Sequence, residues 1–339
     1  MSYIRGNQGY VMLSDKQPTY GTKKVPTYTG TISAGEDLQT VKPGKAVLTD
    51  RIRNEEAPSI VVKGKIHVEG TLTYDYIPDE ALGINLAMLL GSSNTVAGSS
   101  TVGYTHSYSA WSACTGIPES GVTVQKLIGG CDNTMLADNI SCFANSFELT
   151  VPEEGVVTYA MNYMGQKNTF GGTVASPSYS TVNPFEGWMA HLEIGTVIGS
   201  TTAIKIKEAT LSINNNLTMV TDHNASNQYA AGFIPNSRSV DMSITVTQEN
   251  NLTLYNYFKD DTENAVKLIL THPTKAGSAS GVYSLTFNLP RVTWLGEEPK
   301  LDSTDVLTGS YNFTALKDAT TGYQVSAELV NSQSGTYSV

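Results

Sequence analysis

Positively charged side chains are scarce in this 339-residue chain, where 21 Lys and Arg stand against 31 Asp and Glu and give a formal net charge of −10. A folded module that grips nucleic acid carries a basic stripe, so we do not expect that function. The charge still allows nucleic acid to pass nearby without adhering.

Cysteine is also rare, with only Cys114, Cys131 and Cys142. Three thiols cannot all pair within one chain, so we expect free thiols and synthesis in a reducing cytoplasm. No apolar run approaches the ~20 residues that a membrane-spanning helix needs. The segment Met1 to Gly6 lacks the charged and apolar regions of a secretion signal. We therefore expect neither a membrane span nor a secretion signal.

Signatures of catalysis are missing. There is no Gly-x-Ser-x-Gly motif, no phosphate-binding glycine loop and no dinucleotide fingerprint. The adjacent acids Glu153-Glu154 and Glu297-Glu298 lie beside prolines and are interpreted as solvated turn charges. We expect a protein that is not an enzyme and that has no cofactor.

Metal binding is not expected either. None of the five histidines pairs with another at metal-ligand spacing; they are His67, His106, His191, His223 and His272. The three cysteines with His106 lack the close Cys-x-x-Cys pair that structural zinc usually uses. Buried free thiols are the favoured interpretation.

What the chain has in abundance is alternation of apolar and polar residues. Residues 64–76 alternate in this way and predict a long strand with one buried and one wet face. Pro78 opens a predicted helix that ends at Gly91, with its leucines on one face. The same order returns in the strand 239–247 and a helix-like segment 249–260, whose core positions are Leu252, Tyr255 and Phe258. Such a twice-used unit, without catalytic machinery, favours a building block over an enzyme.

Further strands follow from the same pattern. The clearest hairpin joins Phe147–Val151 to Val157–Tyr163 through the turn Pro152–Gly155. Residues 1–57 are poorly patterned and predict an extended arm that is either mobile or ordered by a neighbouring chain. The tail 331–339 is polar and predicted to fray. We interpret 1–339 as one domain with this arm and with possible insertions at 92–140 and 165–205.

Several blocks of the sequence resemble the tail tube proteins of long-tailed bacteriophages. The strand Gly70–Tyr76 enters a helix through Pro78-Asp79, and the hairpin follows it in matching order. The most distinctive block is Glu208–Leu217, and Leu285–Val292 and Tyr311–Leu316 resemble the closing strands. The likeness covers most of the chain and rests on strand patterns and on Asn and Pro punctuation.

The resemblance implies a mainly β fold of two packed antiparallel sheets, a β-sandwich or barrel with short flanking helices. It implies a structural virion protein whose hexameric rings stack by helical assembly into a hollow tail tube for genome ejection. The implied partners are other copies of the chain, the tape measure, tail terminator and baseplate proteins, a sheath where one exists, and DNA in transit. The protein would be made in the host cytoplasm and reside in the virion tail.

Two sets of residues are predicted to serve this assembly. The wet faces of the two long strands are candidates to line the lumen: Glu69, Thr71, Thr73, Asp75, Asp241, Ser243 and Thr245. An outer solvated surface is the alternative for this face. Charged residues of the arm are candidates to contact a neighbouring subunit: Lys42, Lys45, Arg51, Arg53, Glu55 and Glu56.

A function of another class is also compatible with the composition. A carbohydrate-binding or receptor-binding β-sandwich of the virion would use its aromatic residues, among them Trp111, Trp188 and Trp294, to stack on sugars. We expect most such aromatics to be core or sheet-face residues. Native size separates the two functions, because a tube protein forms rings or long polymers and an adhesive module does not.

Overall fold

The fold was analysed in a computed structural model of the chain. The structure describes residues 9–33, 36–42, 46–48, 60–62, 64–91, 95–111, 119–129, 135–221, 228–247, 253–295 and 308–339. Antiparallel strands dominate these residues and two short helices accompany them, which confirms the predicted mainly β class.

The strands are numbered in chain order. The first eleven are β1 Tyr10–Leu13, β2 Tyr28–Gly30, β3 Gln39–Val41, β4 Ala46–Leu48, β5 Ile60–Val62, β6 His67–Asp75, β7 Thr95–Ser99, β8 Gly103–Ser109, β9 Val122–Leu127, β10 Leu136–Val151 and β11 Thr158–Gly165. The others are β12 Lys167–Phe170, β13 Ala190–Val197, β14 Ser200–Ile204, β15 Glu208–Asn214, β16 Thr218–Val220, β17 Gly232–Ile234, β18 Ser239–Thr247, β19 Asn264–Lys275, β20 Val282–Leu295, β21 Thr308–Ala315 and β22 Ser326–Asn331. The helices are α1 Leu82–Leu90 and α2 Thr253–Lys259.

Two runs of antiparallel strands enclose the main core. The six-stranded sheet has the order β6–β11–β10–β15–β18–β21, and the three-residue strand β3 pairs with the outer edge of β6. The seven-stranded sheet has the order β14–β13–β19–β20–β22–β8–β7, and β20 also pairs with β21. Phe147 of the first sheet and Phe287 of the second meet in the core with ring centroids 5.9 Å apart. The predicted hairpin is β10–β11.

Strand β10 belongs to two sheets because it bends at Ser141. This residue has a positive φ of 54°, and the pairing register shifts beside it. Its hydroxyl donates to Gln17 Oε1 at 2.7 Å and accepts the Gly21 N–H at 2.8 Å, which fixes the bend. Before the bend, β10 pairs with β9 and β12, and β9 pairs with β1 in a smaller sheet. After the bend, the strand enters the six-stranded sheet.

Helix α1 lies inside the protein rather than on its flank. All nine of its residues are buried. The cause is in the sequence, because Leu-Gly-Ile-Asn-Leu-Ala-Met-Leu-Leu is apolar around the whole helix and not only on one stripe. Its one polar residue, Asn85, is satisfied: Nδ2 donates to Tyr159 at 3.1 Å and Oδ1 accepts from Tyr163 at 2.7 Å.

Helix α2, Thr253–Lys259, lies within the predicted segment 249–260, and its core-facing residues differ in part from those expected. Leu254, Tyr257 and Phe258 pack against the core. Of the three expected core residues, Phe258 is correct, Tyr255 is only partly buried, and Leu252 lies outside the described residues. Leu254 and Phe258 are four residues apart, so they share one helical face.

Much of the predicted arm is part of the folded body. Strands β1, β2 and β3 pair with β9, β1 and β6, and Leu13 and Leu38 are fully buried. Lys126 of β9 holds Glu36 by two contacts of 2.9 Å. The described part of residues 9–42 is therefore ordered by its own chain, because its apolar residues find core partners that local patterning did not reveal. Within the predicted arm, the hairpin β4–β5 pairs solely with itself among the described strands, as β16–β17 does elsewhere in the chain.

The two segments considered as insertions both contribute strands to the sheets. Residues 92–140 supply β7, β8 and β9, and residues 165–205 supply β12, β13 and β14. Strand β8 pairs with β22 and strand β13 pairs with β19. These segments are integral to the sheets that they join.

The C-terminal tail is anchored, contrary to the prediction that it frays. Tyr337 is 1% exposed and its ring lies against Gly83 of α1, where a side chain would clash. Its hydroxyl accepts a hydrogen bond of 2.9 Å from the buried Asn331. The Ser338 carbonyl accepts the Lys16 N–H at 2.9 Å. Burial of this one aromatic side chain holds the tail in place despite its polar composition.

We predict that Tyr337→Ala lowers the free energy of unfolding of the unassembled subunit by about 3–5 kcal/mol, as for other buried aromatic truncations. Urea unfolding followed by tryptophan fluorescence measures the change. Tyr179→Ala is the matched control, since Tyr179 is 51% exposed, and it should change stability by about 0.5 kcal/mol. Equal effects of the two variants would contradict the anchored tail.

Candidate functional site: the wet face of the six-stranded sheet

The seven residues predicted to line a lumen lie on one face of one sheet. Strand pairing carries the face from β6 to β21 through directly opposed residues. One row contains Thr73, Ala160, Glu148, Ser212, Asp241 and Thr314. The next row contains Asp75, Thr158, Thr150, Thr210, Ser243 and Asn312. Since opposed residues point to the same side of a sheet, we call this surface the wet face.

The opposite side of the same strands is dry. Leu72, Met161, Phe147 and Ile213 form one of its rows, and all are buried. Three strands separate β6 from β18, which corresponds to about 19 Å across the sheet at the usual strand spacing. The two stretches that the sequence singled out are therefore the two sides of a single surface, and neither is a separate site.

The wet face is acidic. No Lys or Arg lies in the six strands that form it, and five of their acidic residues lie on this face: Glu69, Asp75, Glu148, Glu208 and Asp241. The sixth, Asp138, is buried in the part of β10 that precedes the bend. The remaining outward residues are mostly Thr, Ser and Asn. Such a surface offers hydroxyls, amides and carboxylates to water and no cation to a phosphate.

Some of its side chains are held in place by their neighbours. The Thr314 hydroxyl donates to Asp241 Oδ1 at 2.6 Å. Asn162 donates to the Thr71 hydroxyl at 3.2 Å and accepts from Asn145 at 3.2 Å. Glu69 lies 3.3 Å from the ring nitrogen Nε2 of His67. These contacts orient polar groups along the face without neutralising its acids by Lys or Arg.

A lysine lies beside the face at the start of β15. Lys207 precedes β15 and pairs with Glu153 of the β10–β11 turn at 3.1 Å. The ion pair cancels its charge locally, so the rim adds no free cation there. Glu153 and Glu154 are exposed in the turn, as predicted, whereas Glu297 and Glu298 lie outside the described residues.

The outer side of the seven-stranded sheet has a different character. Glu193 of β13 lies 3.8 Å from Lys267 of β19 and 3.9 Å from His191. It also accepts a hydrogen bond of 2.5 Å from Thr201. Opposite charges are interspersed there, as on an ordinary solvated surface. The two outer faces of the sandwich therefore differ, and only one of them is uniformly acidic.

Of the predicted arm residues, only Lys42 is within the described part, where it is exposed at the end of β3. Lys45, Arg51, Arg53, Glu55 and Glu56 lie outside it. Their role in contacts with a neighbouring chain stays a prediction.

Among the three tryptophans, only one favours the sugar-binding alternative. Trp294 is 5% exposed and donates to Asn264 at 2.8 Å. Trp111 is covered by the guanidinium of Arg238, 4.2 Å from its ring centre. Trp188 is 68% exposed and its Nε1 donates to Glu186 at 2.6 Å. It is the one tryptophan with a free face for a ligand.

The residues considered for metal binding do not form a site in the described part of the chain. No group of three or more His, Cys, Asp or Glu there has the geometry to hold a metal ion. His106 Nε2 is engaged with Asn331 at 3.0 Å and with the Gln333 carbonyl at 2.9 Å, and burial lowers its pKa. Cys142 is buried with a free thiol, while Cys114 and Cys131 lie outside the described residues.

Sequence reasoning missed the middle of the wet face. Strand β15 alternates Glu208, Thr210, Ser212 and Asn214 with buried residues, and Glu148 and Thr150 do the same in β10. The alternation identified these strands. Their common face required the register between strands that are far apart in sequence.

Comparison with known proteins agrees with this architecture. A family model described as phage tail tube protein matches residues 6–315 of the 339. The chain belongs to the phage tail tube protein family. No curated protein gives a significant match to it. The tail tube protein is thus a structural component of the phage tail, as its resemblance implied.

In the described residues no helix is long and apolar enough to cross a bilayer.

We predict that Cys142 of this tail tube protein does not react with thiol reagents while the protein is folded. The thiol is fully buried and burial raises its pKa to about 12, so the reactive thiolate is negligible at pH 8. A variant with Cys114→Ser and Cys131→Ser should give no labelling in buffer and one labelled thiol in urea. Rapid labelling in buffer would contradict the burial.

Proposed function

We propose that the tail tube protein polymerises as stacked hexameric rings and that its wet face lines the channel through which DNA is ejected. The observation that carries this proposal is the continuous six-stranded surface with five acids and no Lys or Arg. The mixed charges on the other sheet make that side the better candidate for the tube exterior.

An acidic lumen suits DNA in transit. A protein binds DNA by releasing counterions when its cations neutralise phosphates. The wet face supplies no such cations, so DNA moves past it without adhesive contacts. Six copies with a net charge of −10 each give a ring of −60. Repulsion between like charges keeps the polyanion away from the wall.

The hairpin β4–β5 is the candidate arm that contacts a neighbouring subunit. A two-stranded hairpin alone is marginally stable in water. Its strands Ala46-Val47-Leu48 and Ile60-Val61-Val62 contain only aliphatic residues, and they pair with no other described strand. Packing against another copy would bury this apolar sequence. The charged residues from Lys42 to Glu56 would add polar contacts around it.

The remaining partners follow from a place in the tail. A tube of stacked rings needs other proteins to set its length and to form its two ends. The tape measure, baseplate and terminator proteins are therefore its proposed neighbours. In a contractile tail, a sheath protein is a further neighbour. Synthesis takes place in the host cytoplasm, which agrees with the buried free thiol Cys142.

Receptor binding is the second candidate function, and Trp188 is the one tryptophan that favours it. The exposed indole beside Glu186 resembles a stacking platform for a sugar ring. One platform without neighbouring exposed tryptophans is weak support, and a role at a subunit contact explains the same exposure.

We predict that Glu148→Lys leaves tubes intact and slows DNA ejection several-fold at low salt, because every subunit then places a cation beside the phosphates. Asp241→Lys should act in the same direction. Ejection from particles carrying each variant can be followed by a DNA-binding dye. The effect should shrink as salt rises, since the screening length falls from about 30 Å at 0.01 M to about 8 Å at physiological ionic strength.

Glu328→Lys is the matched control. It makes the same charge change at an exposed position of β22 in the other sheet. Its ejection rate should equal that of the unmodified particle. Slowing by Glu328→Lys but not by Glu148→Lys would indicate that the seven-stranded sheet lines the lumen, and this result would refute the proposal.

For the arm, we predict that replacing residues 43–64 by a short Gly/Ser linker leaves a folded subunit that does not form tubes. The replacement is sterically feasible because Val41 pairs with His67, so the two ends of the removed segment are adjacent. Circular dichroism measures folding and negative-stain microscopy measures assembly.

The control for shortening the chain is the same linker in place of residues 222–227, which join β16 and β17. That variant should still form tubes. Normal tubes from the arm deletion would show that the hairpin does not join subunits.

A further inference from the structure

A buried histidine holds an irregular stretch of strand β19. His272 is 3% exposed and lies where the pairing of β19 with β20 shifts register. Pro273, the next residue, has no backbone N–H, so Thr274 supplies the first N–H after the histidine. That N–H donates to Nδ1 of His272 at 3.0 Å. The imidazole therefore closes the bulge of its own strand.

This hydrogen bond fixes the protonation state of the ring. Because Nδ1 accepts, the hydrogen of the neutral ring is on Nε2. Nε2 of His272 is buried and meets no acceptor among the described residues. A buried donor without a partner costs free energy, and an apolar aromatic side chain at this position would not have that cost. The unsatisfied N–H therefore indicates a role for His272 other than packing.

Two aromatic rings and one acid surround the imidazole. Phe185 meets it edge to face with ring centroids 5.3 Å apart, and the ring centroid of Tyr283 lies at 6.5 Å. The Tyr283 hydroxyl donates to Asp79 at 2.6 Å, so that carboxylate is held by the tyrosine. Glu186, next to Phe185 in the chain, is the charged group that acts on the ring.

Burial and this acid have opposite effects on the pKa of His272. Removal of the ring from water lowers the pKa, and the negative charge of Glu186 raises it by a smaller amount. The ring is thus neutral at pH 7 and gains a proton only below its ordinary pKa of about 6.5. Stabilisation by the neutral ring is complete above that pH and is lost as the pH falls through the lower pKa of the folded protein.

The added proton binds at the nitrogen that closes the bulge. Nε2 of the neutral ring already carries a hydrogen, so the second proton has to bind Nδ1. A protonated Nδ1 is a donor and can no longer accept the Thr274 N–H. Protonation of His272 therefore breaks the hydrogen bond across the bulge and places a cation near Glu186.

Glu186 belongs to a segment beside the rim of the wet face, residues 185–189, which we call the rim segment. Its carboxylate accepts a hydrogen bond of 2.6 Å from Nε1 of Trp188. The Val157 N–H donates to the Phe185 carbonyl at 2.8 Å, which joins the rim segment to the β10–β11 hairpin. Phe185 thus contacts the hairpin through its backbone and His272 through its ring.

We propose that His272 is an acid-sensitive switch for the rim segment. In neutral solution Nδ1 closes the bulge, and Glu186 holds the indole of Trp188. In mild acid the imidazolium releases the Thr274 N–H and attracts Glu186, which releases the indole. The exposed surface around Trp188 therefore changes with pH while the strands of the six-stranded sheet stay paired. The switch requires neither tube formation nor DNA, so its test is independent of the proposed function.

Hydrogen exchange on the full-length chain tests the switch. After correction for the intrinsic pH dependence of exchange, the Thr274 amide should exchange about ten-fold faster at pH 5.5 than at pH 7.5, because the protonated fraction of the histidine rises up to ten-fold per unit of pH. Amides of β15, in the middle of the six-stranded sheet, should keep their rates. Faster exchange throughout β15 would show general unfolding and overturn the local switch.

His272→Asn separates titration from structure. The amide oxygen of Asn can accept the Thr274 N–H and does not titrate, so this amide should stay protected at both pH values. His191→Asn is the matched control, because His191 lies 3.9 Å from Glu193 at a more exposed position of the same sheet. It should keep the acid response of the unmodified protein. An acid response in His272→Asn, or none in the unmodified protein, would overturn the proposal.

Glu186→Gln tests the partner of the imidazolium, and it does so without changing the histidine. The amide keeps an acceptor for the indole of Trp188 but removes the negative charge that favours the protonated ring. The midpoint of the acid response at the Thr274 amide should therefore shift to lower pH. An unchanged midpoint would show that Glu186 does not receive the cation and would refute the coupling to the rim segment.

Discussion

Three tyrosines and one asparagine hold the six-stranded sheet against the buried helix α1. Tyr74 and Tyr163 share a hydrogen bond of 2.9 Å between hydroxyls, and Asn85 joins Tyr163 at 2.7 Å and Tyr159 at 3.1 Å. All of these side chains are buried, so each loses its partners if the sheet moves. A slip of β6 by one residue would turn Tyr74 to solvent and the acids Glu69 and Asp75 inward. The dry network therefore fixes which residues form the wet face.

The wet face depends on this constraint for its continuity. The register that buries Tyr74, Tyr159 and Leu149 in one row places Asp75, Thr158 and Thr150 in the next row on the other side. The register that aligns the buried residues therefore also aligns the wet-face residues across the six strands. An uninterrupted acidic and hydroxyl-rich surface results, while the opposite sheet keeps paired charges such as Glu193 and Lys267. This asymmetry distinguishes a candidate lumen from a candidate exterior.

The positions of individual strands were easier to predict from the sequence than the contacts that these strands make with distant parts of the chain. Alternation identified β6, β18 and the β10–β11 hairpin because a half-buried strand has a period of two. It did not reveal that Ser141 bends β10 into a second sheet, since that bend depends on Gln17 and on the Gly21 N–H. Tyr337 likewise anchors a polar tail through one contact with Gly83, which no local pattern reports.

The candidate site was predictable in part for the same reason. Glu69 and Asp241 were assigned to wet faces correctly from their own strands. Their membership in one surface required the pairing of β11, β10 and β15 between them, and pairing between distant segments is not encoded in local periodicity. The predicted arm included too many residues, because Leu13 and Leu38 contact core residues that are distant in the sequence.

The central claim is that the wet face lines the channel of an assembled tube. A helical reconstruction of tubes by electron cryomicroscopy measures this most directly, through the radial positions of Glu148 and Glu328. The account predicts Glu148 and Asp241 at the inner radius, facing the channel, and Glu328 farther from the axis. Glu148 and Asp241 at the outer radius, with the seven-stranded sheet facing the channel, would contradict it.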